Sequence, residues 1–194
     1  MHRVSINLLT VVPVFILVGC IFIIVPQPAF AIAAVQQNLS PCYHKELDSL
    51  GFLAGDWIVE ANVKTGDDKW EQSSATSQIK PDLSGCLFVE RFAGSRAGHS
   101  FSSLGIMGFN SVSGKLQRVW SDSEHGILIL YEGHRNGKEM ILYSEVVLNG
   151  NRVKLRHAYL DITRDSFRLE SARSQDDGKT WITVSKFQYQ RKGG

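Results

Sequence analysis

Arg118, Trp120 and Asp122 fall two residues apart in the stretch Lys115-Leu-Gln-Arg-Val-Trp-Ser-Asp122. At strand periodicity this spacing puts a cation, an indole and a carboxylate on one face, together with Leu116. His157 sits in a second alternating run, Val153, Leu155, His157 and Tyr159, opposite Arg152, Lys154 and Arg156. Glu170 lies two residues from Arg168, and Tyr189 alternates with Phe187 and Arg191. Arg118, Trp120, Asp122, His157, Glu170 and Tyr189 are therefore the candidate binding groups. Aromatic rings would supply contact area, and a few charges would orient a polar head. If the protein catalyses a reaction, an isomerase or hydrolase with Asp122 or Glu170 as general base is the form these residues allow. The plainer reading is of cross-strand ion pairs and a hydrogen-bonded core histidine, although imidazole is also a haem ligand.

Other chemistries lack their residues. His44, His99, His125, His134 and His157 show no metal-site spacing, so no metal is expected. There is no Gly-x-Ser-x-Gly elbow and no phosphate-cradling glycine loop. No cofactor is assigned. The sequence holds 21 basic and 19 acidic residues, which gives no electrostatic reason to expect nucleic acid as a partner.

The elements that must position these groups are strands. After Gly55 the apolar period is two, and the expected strands are 56–64, 69–79, 83–92, 99–109, 115–122, 126–133, 138–148, 152–160, 164–173 and 181–191. Thr65-Gly66-Asp67-Asp68, Asn136-Gly137, Asn149-Gly150 and Asp177-Gly178 supply hairpin turns. No helical pattern separates the strands, so the fold class is all-β, an antiparallel up-and-down barrel of about ten strands. A barrel of that number is wider than one that side chains alone fill at about eight. Leu47, Leu50 and Leu53, preceded by Ser40-Pro41, predict one short N-terminal helix.

Ahead of the barrel, Arg3, the apolar run Val11 to Val25 and Pro28-Ala-Phe-Ala31 form a secretory signal with cleavage after Ala31. Two alternatives stay open: lipidation of Cys20 in Leu17-Val-Gly-Cys20, or retention of the apolar run as a membrane anchor. The expected organisation is a signal peptide over 1–31, a lead-in over 32–49 and the barrel domain over 50–192. The expected destination is the periplasm or the exterior. A membrane is a partner only through one of those two alternatives. Cys42 and Cys86 remain after cleavage, an even number that permits one disulfide in an oxidising compartment.

Two motifs read as structural. Gly55-Asp-Trp57 is a Gly-x-Trp at the start of the first strand, with Arg191 placed to lie over the indole. Ser174-Gln-Asp176-Asp-Gly178-Lys-Thr180-Trp181 fits an Asp-box hairpin, in which Asp176 accepts backbone amides, Gly178 takes positive φ and Trp181 packs beneath. It occurs once, which excludes a sialidase propeller.

Phe52-Leu-Ala-Gly-Asp-Trp57, Gly85-Cys-Leu-Phe-Val-Glu90, Gly114-Lys-Leu-Gln-Arg-Val-Trp-Ser-Asp122, Asp177-Gly-Lys-Thr-Trp181 and Tyr189-Gln-Arg191, in this order, resemble a family of uncharacterised, exported bacterial proteins. The resemblance covers Leu50 to Arg191. It implies a calycin-like barrel of the lipocalin type and export, and it implies no reaction. Barrels of that type bind small hydrophobic molecules, so the expected partner is a small apolar ligand. The third possibility is a structural module with a filled barrel.

Overall fold

The computed structural model describes residues 42–96 and 98–193. The signal peptide, Cys20 and residues 32–41 of the lead-in lie outside the described residues.

Ten strands close into one antiparallel barrel. They are β1 (Gly55–Lys64), β2 (Trp70–Asp82), β3 (Leu87–Arg96), β4 (His99–Asn110), β5 (Lys115–Asp122), β6 (Ile129–Asn136), β7 (Glu139–Leu148), β8 (Asn151–Leu160), β9 (Ser166–Ser174) and β10 (Ile182–Arg191). Each strand pairs with its neighbours in sequence, and β1 pairs with β10 to close the ring. Closure removes the edges that a ten-strand meander would leave.

Alternation sends one set of side chains into the barrel, and antiparallel register stacks that set into layers. The lowest layer is the segment Lys45–Leu53, which is a 3-10 helix and not the ordinary helix its leucines suggest. Leu47, Leu50 and Leu53 are spaced by three, the repeat at which 3-10 side chains eclipse, and all three are buried. Above them Trp57 is buried, with its Nε1 donating to the Leu53 carbonyl at 2.9 Å and its ring 4.9 Å from that of Phe167. The Arg191 guanidinium covers the indole at 4.3 Å. It also donates to the carbonyls of Ala54 at 2.7 Å, Phe52 at 3.1 Å and Arg164 at 2.7 Å. A Cβ at residue 55 would lie 2.1 Å from Arg191 Nη1, and φ there is +151°, so glycine is required. Cys42 and Cys86 are bridged, with Cα atoms 5.6 Å apart, and tie the cap segment to the start of β3.

The opposite end carries the β1–β2, β3–β4, β5–β6, β7–β8 and β9–β10 hairpin turns. In the β9–β10 turn Asp176 accepts from Thr180 N at 2.9 Å, Thr180 Oγ1 at 2.6 Å and Ser174 Oγ at 2.7 Å. These bonds, those to Thr180 foremost, hold its carboxyl at about 2. Gly178 has φ +89°.

Two expected strands are displaced. β3 starts at Leu87, because Leu83, Ser84 and Gly85 all take positive φ and form a turn. β6 runs from Ile129 to Asn136, three residues later than expected. In β10 the register shifts between Thr183 and Ser185. That bulge breaks the alternation, so Trp181 does not share the inner face of Phe187 and Tyr189. Trp181 packs outside, with Arg156 4.8 Å over its ring and Tyr143 at 5.9 Å.

Candidate functional site

One layer of the interior is polar. Ser77 (β2), Glu90 (β3), Arg118 (β5), Tyr131 (β6), His157 (β8) and Tyr189 (β10) enter it from six strands, and all are buried. Arg118, 1% exposed, donates through Nη2 to Glu90 Oε2 at 2.8 Å. Glu90 Oε1 accepts from Ser77 Oγ at 2.9 Å and Tyr189 OH at 3.0 Å. The Arg118 Nη1 lies 3.2 Å from His157 Nδ1. A guanidinium has only donors, so Nδ1 accepts and the His157 proton sits on Nε2. Burial, and then the Arg118 charge, push the His157 pKa well below its ordinary value. Tyr131 stacks on the imidazole at 3.9 Å, and burial raises its own phenol to about 12. Burial likewise raises the phenols of Tyr159 and Tyr189. Gly105 on β4 leaves room for the ion pair, since a Cβ there would lie 3.1 Å from Glu90 Oε2 and 3.4 Å from Arg118 Nη2.

Above this layer the barrel is hollow. A cavity of about 230 Å³ has Arg118, His157 and Tyr189 in its wall. Trp120, Phe92, Phe101 and Phe187 supply its aromatic sides, and Lys64, Glu71, Arg96 and Asp122 lie nearer the hairpin end. Phe92 meets Phe101 at 6.0 Å and Phe187 at 5.9 Å, both edge-on. The Trp120 ring lies 4.6 Å from the Arg118 guanidinium. The volume corresponds to roughly eight waters at ~30 Å³ each, room for a small molecule only.

Of the six candidate groups, five gather here. Arg118, Trp120, His157 and Tyr189 do so deep in the barrel. Asp122 lines the mouth, with its Oδ1 accepting from the amides of Glu124 at 3.0 Å and His125 at 2.8 Å. Glu170 does not. It alternates with Leu169 and Ser171, which face the cavity, so it points outward and pairs with Arg168 at 3.3 Å. Asp122 does not pair with Arg118. The carboxylate that does is Glu90, which sequence reasoning passed over as a site residue. Its signal is the triplet Phe88, Glu90, Phe92 at period two, an acid flanked on its own face by two large apolar side chains. Among the described residues no group of three His, Cys, Asp or Glu side chains is arranged to hold a metal ion.

A family model described as protein of unknown function, DUF1579, matches residues 43–191. The chain belongs to this family. The match spans the whole barrel, including the Trp57–Arg191 and Trp120–Arg118 pairs. The crystal structure of Rv2717c from M. tuberculosis is similar with a TM-score of 0.57 and 15% identity, covering 80% of this chain and 99% of that one. That likeness is one of fold. An S-type phycobiliprotein lyase, CPES from Guillardia theta, has a TM-score of 0.49 at 12% identity over 76% of this chain and 92% of its own. No curated protein matches the chain.

Proposed function

We propose that this DUF1579 barrel is an exported binding protein that holds a small, largely apolar molecule in the hairpin-end cavity, with a polar atom of that molecule against Arg118. One observation carries the reading. Arg118 is buried, yet its protein hydrogen bonds are one to Glu90 and one to His157. A guanidinium carries five N–H groups, and burying donors without partners is costly. Arg118 borders the cavity, so an acceptor on an occupant would take up that capacity. Aromatic walls with few polar groups are the usual composition of a small-molecule pocket. Export is supported by the Arg3 to Ala31 pattern and by the Cys42–Cys86 bridge, which belongs in an oxidising compartment.

Titration with naphthylamine, a neutral apolar fluorophore, tests the reading. Saturable binding is expected in the wild type. In Ser171→Trp, where a large ring grows into the cavity, binding weakens at least about tenfold, the loss of roughly 1.4 kcal/mol or more. Absence of saturable binding, or binding that Ser171→Trp leaves unchanged, overturns it.

A further inference from the structure

The charge on the polar layer says what kind of head group the cavity takes; the inference rests on the binding reading above. We propose that the cavity selects an uncharged ligand bearing a hydrogen-bond acceptor, such as a carbonyl or an ether, and excludes carboxylates, and that Glu90 is the positioning residue that sets this selectivity through Arg118.

The charges at depth cancel. Arg118 is the one buried cation facing the cavity among the described residues, and Glu90 is the one buried carboxylate in contact with it. Three donors converge on Glu90 (Ser77, Tyr189 and Arg118), which is the pattern of an ionised, acceptor-only carboxylate. His157 adds no charge, because its Nδ1 accepts from a guanidinium and the ring is therefore neutral. The phenols of Tyr131, Tyr159 and Tyr189 surround the pair and hold their protons. The mouth is balanced as well, with Lys64 and Arg96 against Glu71 and Asp122.

An anion entering this layer would meet a cation already neutralised at 2.8 Å. It would bring a second negative charge close to the buried Glu90, and an uncompensated buried charge is strongly disfavoured. A neutral acceptor meets no such cost and still gains hydrogen bonds from the remaining Arg118 N–H groups.

The experiment compares naphthalene carboxamide with naphthalene carboxylate, which have matching shape and differ in charge. Calorimetric titration at neutral pH is expected to show the amide binding wild type at least about tenfold more tightly than the carboxylate. In Glu90→Gln the Arg118 charge is no longer cancelled, and the order reverses in favour of the carboxylate. A residue that merely held the fold together would weaken both probes alike, so the reversal separates the two roles. Should Glu90→Gln fail to fold, the wild-type comparison still decides, and adding carboxylate to the variant during refolding gives a second reading: recovery of folded protein supports the proposal. Wild type binding the carboxylate as well as or better than the amide overturns the proposal and leaves the binding function standing. Neither probe binding, together with no naphthylamine binding, overturns both.

Discussion

Among the described residues two arginines stack on inward-facing tryptophans, one beneath the cap and one at the cavity floor, and their donors are used differently. At the capped end Arg191 lies 4.3 Å from the Trp57 ring and donates to three backbone carbonyl groups, those of Phe52, Ala54 and Arg164. Its donors are absorbed by the end of the cap segment and the β8–β9 turn, and the indole beneath it is sealed. At the cavity floor Arg118 lies 4.6 Å from the Trp120 ring and makes only two side-chain hydrogen bonds, to Glu90 and His157. The same stacked pair closes the barrel where carbonyls surround it and borders a void where they do not. Residue type therefore does not assign the role; the number of donors left over does.

The largest effect that would break this contrast is at the capped end. Trp57→Ala should cost about 3–5 kcal/mol in chemical denaturation, the range for removing a large buried aromatic. Trp120→Ala, whose ring borders a space already empty, should cost less than half as much. Equal losses would mean that Trp120 is also a plug.

The second effect concerns Arg118 and its acid. Arg118→Met alone should destabilise by about 3 kcal/mol, because Glu90 is left buried and unpaired. Arg118→Met with Glu90→Leu should recover most of that loss, since apolar replacements of a buried pair are often neutral. A double variant as unstable as the single one would show that the layer is held by shape and not by charge. No such rescue is expected for Arg191, whose partners are three carbonyls and the exposed carboxylate of Asp165 at 3.4 Å.

The smallest effect is pH-dependent. His157 is packed between Arg118 and Tyr131, and its pKa lies well below the ordinary value because of burial and then the Arg118 charge. The unfolded chain takes up a proton there from about pH 6.5 downward while the folded one does not. The sign follows: stability present above about pH 6.5 declines as pH falls, by at most about 1.4 kcal/mol per unit for one group. His157→Gln, which keeps an acceptor for Arg118, should flatten that decline between about pH 6.5 and 5 when thermal unfolding is followed. An unchanged slope would mean that the imidazole is protonated in the fold and that the Arg118 contact has been misassigned.

Much of this architecture is legible in the residues. The fifth and eighth strands read correctly because Leu116-x-Arg118-x-Trp120-x-Asp122 and Val153-x-Leu155-x-His157-x-Tyr159 alternate without interruption. The third did not. Leu83 and Ser84 take left-handed backbone angles that their side chains do not advertise, so the strand starts four residues later and Glu90 escaped notice as an inward group. Glu170 was misplaced for a different reason. It and Arg168 offer the same charges as an inward pair would, and only the neighbouring Phe167 and Leu169 show which side is core. The bulge between Thr183 and Ser185 in the tenth strand carries no composition signal either. The pairing of Arg118 with Glu90 is set by register between strands that are not adjacent, and local periodicity carries no information about it.

Closure of the ring by β1 and β10 also sets an order of events during folding. Trp57 lies at the start of the first strand, and the arginine that covers it is the last residue of the tenth. A chain emerging from its N-terminus can form hairpins one after another, but every intermediate keeps two open edges until Arg191 is available. The slow step is thus the one that joins the most distant strands, since loop-closure entropy opposes it before any contact rewards it. A chain that cannot finish early keeps unpaired strand edges until its last strand is made, and only then commits to its final shape.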